Sequence, residues 1–139
     1  MAKVIIVRTD GGARGNPGPA AIGVVLEDEH GKVLKEFGRY LGETTNNQAE
    51  YQALLAGLEV AQELGASEVR CYLDSELVVK QLQQEYKVKD KGLAPLFVKA
   101  WNLSQLFSKI SYHHVPREQN QRADALVNQT LDSQGVDKF

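Results

Sequence analysis

The feature that most restricts the fold of this chain is a change in hydrophobic rhythm near residue 45. Before it, three strand-like segments at residues 3–10, 20–26 and 32–41 follow one another through short connections, the first of them the turn-rich segment 11–19. After it, helical and strand-like periods alternate. Consecutive strands with short links form an antiparallel meander, whereas strands separated by helices pair in parallel.

The second half of the chain predicts two crossover units. Its segments read as helix 45–64, strand 68–74, helices 75–84 and 95–107, strand 110–115, and a last helix to residue 133. Thr45 and Gln48 fit a capping box, and Asn120 fits the N-cap of the last helix. The sequence therefore predicts an α/β fold: a five-stranded mixed sheet, made of an antiparallel meander plus two parallel strands, with helices on both faces.

Size and composition restrict the class of protein further. A chain of 139 residues fits one domain, residues 1–139. The single cysteine, Cys71, excludes an internal disulfide framework and a cysteine-based zinc site. We expect no membrane span and no signal peptide, and a cytoplasmic location, which suits a lone thiol. The net charge of −2 argues mildly against a nucleic-acid binder that relies on bulk charge.

Two aspartates end predicted strands that the topology makes neighbours. Asp10 closes the first strand and Asp74 closes the fourth, each at its C-terminal end. Ligands of open α/β sheets bind outside the C-terminal strand ends, so two parallel neighbours would present both carboxylates at one edge. Taken singly, each aspartate is better explained as a turn residue or a helix cap.

Two further acids stand near the start of predicted helices, on the apolar face. Glu50 is followed at i+3 and i+4 by Ala53 and Leu54, and Asp124 is followed at i+3 by Val127. An unpaired carboxylate on a buried face is costly unless a cation or a proton shares the place. The alternative is a first-turn acid that reaches solvent and interacts favourably with the helix dipole.

One shared cause explains the four acids better than four separate ones, and that cause is a divalent metal. Carboxylate oxygens select Mg²⁺ or Mn²⁺, and no Cys–His spacing suggests zinc. Four carboxylates are enough for two ions about 3.5–4 Å apart, the arrangement used in phosphodiester cleavage. The pattern therefore indicates a metal site built from Asp10, Glu50, Asp74 and Asp124.

Four motifs then carry a resemblance to a known family. Residues 10–19 read DGGARGNPGP, residues 44–50 read TTNNQAE, residues 72–75 read YLDS and residues 120–124 read NQRAD. In order and spacing they resemble the motifs of type 1 ribonuclease H, and the match covers nearly the whole chain. The resemblance implies the ribonuclease H-like fold and an endonuclease that cuts the RNA strand of RNA–DNA hybrids, leaving 5′-phosphate and 3′-hydroxyl ends.

The resemblance also implies roles for individual residues. It makes the four acids the catalytic metal ligands, holding two Mg²⁺ or Mn²⁺ ions with substrate bound. It places a further set against the minor groove of the hybrid: Gly11, Asn16, Asn46, Asn47 and Gln48. Amide and backbone groups can donate to and accept from the 2′-hydroxyls that distinguish RNA from DNA. Without the resemblance, Asn46 and Asn47 would be read as first-turn helix residues and residues 15–18 as a turn.

The chain departs from the family pattern in the loop before the last acid. Well-studied members carry a histidine there, whereas loop 116–119 has none and Arg117 lies in that region. We expect Arg117 to contact phosphate; a solvated loop charge is the alternative. The basic segment of some members corresponds here to the short stretch 85–92, and we expect no N-terminal hybrid-binding module, so the electrostatic grip on the substrate should be weaker.

Two other functions stay open at this point. One is a related nuclease of the same superfamily with a different substrate, such as double-stranded RNA. The other is a non-catalytic nucleic-acid-binding domain, against which the four acids argue, since negative charge facing phosphates gains a binder nothing. The net charge does not exclude nucleic acid, because the acids assigned to metal account for its negative sign. We expect a monomer that acts on the hybrid without a protein partner.

Overall fold

The computed structural model describes residues 3–136, which form a five-stranded sheet, four α-helices and one 3-10 turn at Arg117–Gln119. The strands are β1 (Val4–Ala13), β2 (Gly18–Glu27), β3 (Val33–Thr44), β4 (Glu68–Leu73) and β5 (Lys109–His114). The helices are α1 (Asn46–Glu63), α2 (Glu76–Leu82), α3 (Ala94–Ser104) and α4 (Gln121–Ser133). Within this part of the chain, no helix combines the length and the apolar character that a membrane crossing requires.

The sheet is mixed, with strand order β3-β2-β1-β4-β5. The first three strands pair antiparallel, and β4 pairs in parallel with both β1 and β5. Thr9 of β1 lies opposite Leu73 of β4. Because the two strands run the same way, the residues that follow, Asp10 and Asp74, lie at the same edge of the sheet. The predicted α/β class and mixed sheet are confirmed.

Helices cover both faces of the sheet. The larger core joins β1 to α1 through residues such as Ile5, Val7 and Leu58, and it also takes in α2 and α3. On β2, Ile22 belongs to this core, whereas the preceding residue, which must point to the opposite face, belongs to a second cluster. That smaller cluster seats α4 on the sheet and consists of Ala21, Val127 and Leu131.

The glycine-rich segment differs from its prediction as a continuous loop. Strand β1 continues through Gly11 and Gly12 to Ala13, which pairs with Ala20 of β2. The turn proper is therefore confined to residues 14–17. Turn composition predicted a loop here, but cross-strand pairing with β2 overrides it, because the glycines can occupy strand positions when a neighbouring strand supplies the hydrogen bonds.

The two predicted helix starts behave differently. At α1, the Gln48 N–H donates to Thr45 Oγ1 at 3.2 Å and the Thr45 N–H donates to Gln48 Oε1 at 3.4 Å, so the capping box is confirmed. At α4, Asn120 occupies the N-cap position, but within residues 3–136 its side chain makes no capping hydrogen bond. The prediction of a side-chain cap is wrong there, because the amide is engaged elsewhere, at the carbonyl of Thr9.

Candidate active site

Three of the predicted acids converge where β4 ends beside β1, which continues past Asp10 to Ala13. Among the described residues, Asp10, Glu50 and Asp74 each offer a carboxylate oxygen that lies within 4.8 Å of the other two. Asp10 is 8% exposed and Glu50 is 7% exposed, whereas Asp74 is half-buried. Like charges this close in a poorly solvated place repel strongly, so the arrangement calls for a cation or a proton.

Glu50 reaches the cluster because α1 lies directly on β1. A Cβ atom at Gly11 would lie 2.3 Å from the carbonyl carbon and oxygen of Ala49 and 2.6 Å from the nitrogen of Glu50. Only glycine permits this approach. The Gly11 N–H donates a hydrogen bond to Glu50 Oε1, which fixes the carboxylate beside the end of β1.

The surroundings of the cluster favour protonation when no cation is bound. Burial, with the charge of Asp74 as the next cause, raises the pKa of Asp10 from 3.8 to about 7. Burial, followed by the charges of Asp10 and Asp74, raises the pKa of Glu50 well above its ordinary value. A divalent cation offsets the same repulsion, so cation and protons compete for these carboxylates.

Asp124 lies outside this group of three but faces the same cleft. Its charge contributes to the raised pKa of Asp10. Its Oδ1 lies 3.4 Å from Arg117 Nη2, and its Oδ2 lies 3.5 Å from Asn128 Nδ2. The cleft has a volume of about 470 Å³, and all four acids line it. The structure therefore brings the four predicted acids to one cleft, three of them into direct proximity.

The residues expected against the minor groove fall into two groups. Gly11, Asn46 and Asn47 line the cleft, with both asparagines exposed and Gly11 buried. Asn16 is exposed beyond the lining, and its Oδ1 accepts a 3.0 Å hydrogen bond from the Asn46 N–H. Gln48 turns away: its side chain bonds to Thr44 and Thr45, and its Nε2 donates to the carbonyl of Gly92 at 3.5 Å.

Arg117 is one of the residues that line the mouth of the cleft. Its side chain is 77% exposed, and its one ion pair in the described part of the chain is the 3.4 Å contact with Asp124. A guanidinium held this loosely keeps most of its donors available for an incoming anion. The position therefore suits a phosphate contact.

Two side chains near the cleft were not expected from the sequence. Asn120, 2% exposed, donates from Nδ2 to the Thr9 carbonyl at 2.8 Å and to Asp74 Oδ2 at 3.3 Å. Arg14 has a side chain only 9% exposed, paired with Asp132 at 2.8 Å. Asn120 stands in the fourth motif, but its position before a helix already had an explanation as a cap. Arg14 follows a glycine-rich stretch, and no pattern indicates that its side chain is buried.

The donor set agrees with the predicted metal. The residues that line the cleft include four carboxylates and several amides but neither histidine nor cysteine. Such oxygen-only sites are typical of Mg²⁺ and Mn²⁺, whereas zinc prefers nitrogen and sulfur ligands. Asp10, Glu50 and Asp74 are the residues that would hold such an ion.

The chain is similar in sequence to one protein family and to several known proteins. Residues 8–130 match the family described as "Reverse transcriptase-like". The chain is 45% identical to the bifunctional protein Rv2228c of Mycobacterium tuberculosis, over 93% of this chain and 36% of that protein. It is 47% identical to the ribonuclease HI of Halobacterium salinarum, over 88% of this chain and 62% of that protein. The chain thus spans between about a third and three fifths of these relatives.

Two solved structures are similar to this chain over nearly their whole length. The RNase H1 of Halobacterium salinarum is 45% identical with a TM-score of 0.91, covering 94% of this chain and 98% of that one. LC11-RNase H1, solved in complex with an RNA/DNA hybrid, is 49% identical with a TM-score of 0.89, covering 93% and 97%. With the four acids in one cleft and this similarity in sequence and fold, the chain belongs to the type 1 ribonuclease H family.

Proposed function

We propose that this chain hydrolyses the RNA strand of RNA–DNA hybrids by a two-metal mechanism, leaving 5′-phosphate and 3′-hydroxyl ends. The observation that carries the proposal is the group of Asp10, Glu50 and Asp74 at the edge of the sheet. Its support from relatives is the 49% identity to an RNase H1 solved with an RNA/DNA hybrid.

All four acids would contribute carboxylate ligands to the cations. Asp10, Glu50 and Asp74 form the compact group, and Asp124, which lines the same cleft near Asp10, is a further ligand. Bound Mg²⁺ or Mn²⁺ supplies Lewis acidity toward phosphate oxygens and eases deprotonation of water. The burial of Asp10 and Glu50 keeps competing water away from their carboxylates, which strengthens every electrostatic interaction in the site.

The mouth of the cleft supplies the groups that would recognise the hybrid. The side chains of Asn46 and Asn47 are exposed on its wall. Asn46 Oδ1 accepts a 2.8 Å hydrogen bond from the Ala13 N–H, which leaves its Nδ2 to donate to the hybrid, while the Asn47 amide can donate to and accept from a 2′-hydroxyl. Asn16 and Asn46 are linked by a hydrogen bond, so the β1–β2 turn and the start of α1 present one surface. Arg117, at the same mouth, adds one positive charge for a phosphate.

A substrate panel tests the proposal. Labelled RNA–DNA hybrid, double-stranded RNA and DNA with a single ribonucleotide are incubated with the chain in Mg²⁺, in Mn²⁺ and in chelator. We expect cleavage of the hybrid with either metal, none in chelator, and RNA fragments that a 5′-phosphate-dependent exonuclease can degrade. Undiminished cleavage in chelator would overturn the metal mechanism. Cleavage of double-stranded RNA alone would show that the hybrid is not the substrate.

The matched variant for this test is Asp10→Asn, which preserves shape and removes one carboxylate. We expect it to fold and to lose hybrid cleavage, because a ligand of the cation is lost. Full cleavage by a folded Asp10→Asn chain would exclude the assigned site. A monomeric, cytoplasmic enzyme without a protein partner remains a prediction of the sequence.

A further inference from the structure

The side chain of Asn120 does not follow the local rule for its position. An asparagine at an N-cap usually accepts a hydrogen bond from a backbone amide of the first helical turn. Asn120 is the N-cap residue of α4, and in the described part of the chain its side chain makes no such bond. The amide points instead toward the strand ends and is buried there, 2% exposed.

The Asn120 amide joins the ends of two strands. Nδ2 donates at 2.8 Å to the carbonyl of Thr9, the residue before Asp10. The same nitrogen donates at 3.3 Å to Oδ2 of Asp74, a member of the acid cluster. One bond goes to rigid sheet backbone and the other to a carboxylate. The orientation of the amide follows from these partners, because a reversed amide would bring its oxygen against two acceptors.

This orientation leaves an acceptor without a partner. Oδ1 of Asn120 is buried and makes no hydrogen bond within residues 3–136. Buried polar atoms are nearly always hydrogen-bonded, and exceptions to such local rules concentrate at functional sites. In the described part of the chain, the Asn120 oxygen therefore neither caps the helix nor bonds to another group, while its nitrogen makes the two contacts with Thr9 and Asp74.

We propose that Asn120 is a positioning residue, which holds the Asp74 carboxylate in the orientation that binds the divalent cation. The inference rests on the proposed function and deepens it. A neutral donor suits this task, because a lysine or arginine in its place would compete with the cation for the carboxylate. Since the other bond goes to Thr9, the amide holds Asp74 in register with the strand that carries Asp10.

Two substitutions separate this role from a role in starting the helix. Asn120→Ala removes both the amide and any capacity to cap. Asn120→Ser restores a preferred N-cap residue without an amide. Mn²⁺ binding to the substrate-free chain is measured by calorimetry, and hybrid cleavage is measured over a range of Mg²⁺ concentrations.

We expect both variants to bind Mn²⁺ about tenfold more weakly or worse, and to need correspondingly more Mg²⁺ for half-maximal cleavage. At saturating metal, the KM for hybrid should stay within about twofold, because Asn120 is buried behind the residues that line the cleft. Wild-type Mn²⁺ affinity in Asn120→Ser would overturn the proposal in favour of a capping role.

A control variant accounts for lost stability alone. Leu26 is fully buried at the end of β2 remote from the acids, where it pairs with Val7. Leu26→Ala should lower stability and leave Mn²⁺ affinity unchanged; an equal loss of affinity in this variant would overturn the proposal. If the wild-type chain binds Mn²⁺ but does not cut the hybrid, the proposed function fails, and the calorimetric comparison still decides the role of Asn120.

Discussion

Gly11 lies against the backbone of α1 so closely that its N–H donates to the carboxylate of Glu50, 39 residues further along the chain. The contact links β1 to the fifth residue of α1 and sets the distance between two of the acids. The absence of a side chain at position 11 is therefore a condition for the site as well as for the packing of α1.

We expect Gly11→Ala to lower the free energy of unfolding by about 1–3 kcal/mol, because the new methyl group meets backbone atoms that cannot move aside. The rate of hybrid cleavage should also fall, by more than the loss of folded protein accounts for, since Glu50 is displaced with the helix. Gly12→Ala is the control: among residues 3–136, a Cβ atom there comes within 4 Å of Val127 Cγ1 alone, at an ordinary 3.8 Å. Chemical denaturation of both variants tests this, and equal stability of the two would contradict it.

The acid cluster makes the metal-free protein less stable as pH rises. The folded-state pKa of Asp10, about 7, lies above its ordinary value of 3.8, so the folded state holds more protons than the unfolded state between these limits. Stability contributed by the protonated carboxyl is therefore complete below about pH 4 and is lost as pH rises toward 7. Glu50, whose pKa is also raised, acts in the same direction.

Asp10→Asn removes this contribution and provides the measurement. In chelator, we expect the variant to gain stability over the wild type as pH rises from 4 to 7, by on the order of 1–3 kcal/mol at neutral pH. Added Mg²⁺ should reduce the difference, because the wild-type chain binds it more tightly. A difference that stays constant across this pH range would contradict the raised pKa.

Arg14 anchors the end of α4 to the β1–β2 turn. Its guanidinium pairs with Asp132 at 2.8 Å, donates to the carbonyl of Val136 at 2.6 Å and donates to Asn128 Oδ1 at 3.2 Å. We expect Arg14→Met to lower the free energy of unfolding by about 2 kcal/mol, because several charge-assisted hydrogen bonds are lost together.

An exposed ion pair is the natural comparison for Arg14. Arg70 pairs with Glu68 at 2.8 Å, two residues away on β4, with its side chain 40% exposed. Arg70→Met should change stability little, because exposed pairs contribute little. Thermal unfolding of the two variants decides the matter, and an equally small effect at Arg14 would show that its buried contacts do not stabilise the fold.

Arg117→Ala should weaken substrate binding without affecting the fold. The exposed guanidinium has no structural contact beyond Asp124 in residues 3–136, so stability should be unchanged. We expect the KM for hybrid to rise about three- to tenfold. The slope of log binding constant against log salt concentration should decrease in magnitude by about one, the value for one phosphate contact. Arg117→Lys should recover part of the affinity. An unaltered salt dependence in Arg117→Ala would show that the residue makes no phosphate contact.

Sequence patterns predicted the parts of the site that follow from regular geometry. Asp10 and Asp74 could be placed together because parallel neighbours end at the same edge of a sheet. Glu50 could be turned inward because helical spacing puts it on the face of Ala53 and Leu54. Both predictions use only chain periodicity, which the sequence displays directly.

Contacts between distant side chains could not be read in this way. Asn120 has a complete local explanation as a helix cap, and only tertiary structure shows that its Nδ2 donates to the Thr9 carbonyl and to Asp74 while its oxygen makes no cap. Arg14 is buried by residues more than a hundred positions away. The continuation of β1 through Gly11 likewise depends on pairing with β2, which turn composition does not indicate.

Helix α4, which carries Asp124, packs against a hydrophobic cluster that is separate from the larger core. Val127 and Leu131 hold this helix to a small cluster on its own face, apart from the larger core that fixes Asp10, Glu50 and Asp74. A local opening of α4 costs less than global unfolding, and amide hydrogen exchange over residues 121–133 would report it. Such an opening would carry Asp124 out of the cleft and break the hydrogen bond from Asn120, the N-cap of the same helix, to Asp74, so one helix controls two of the four acids.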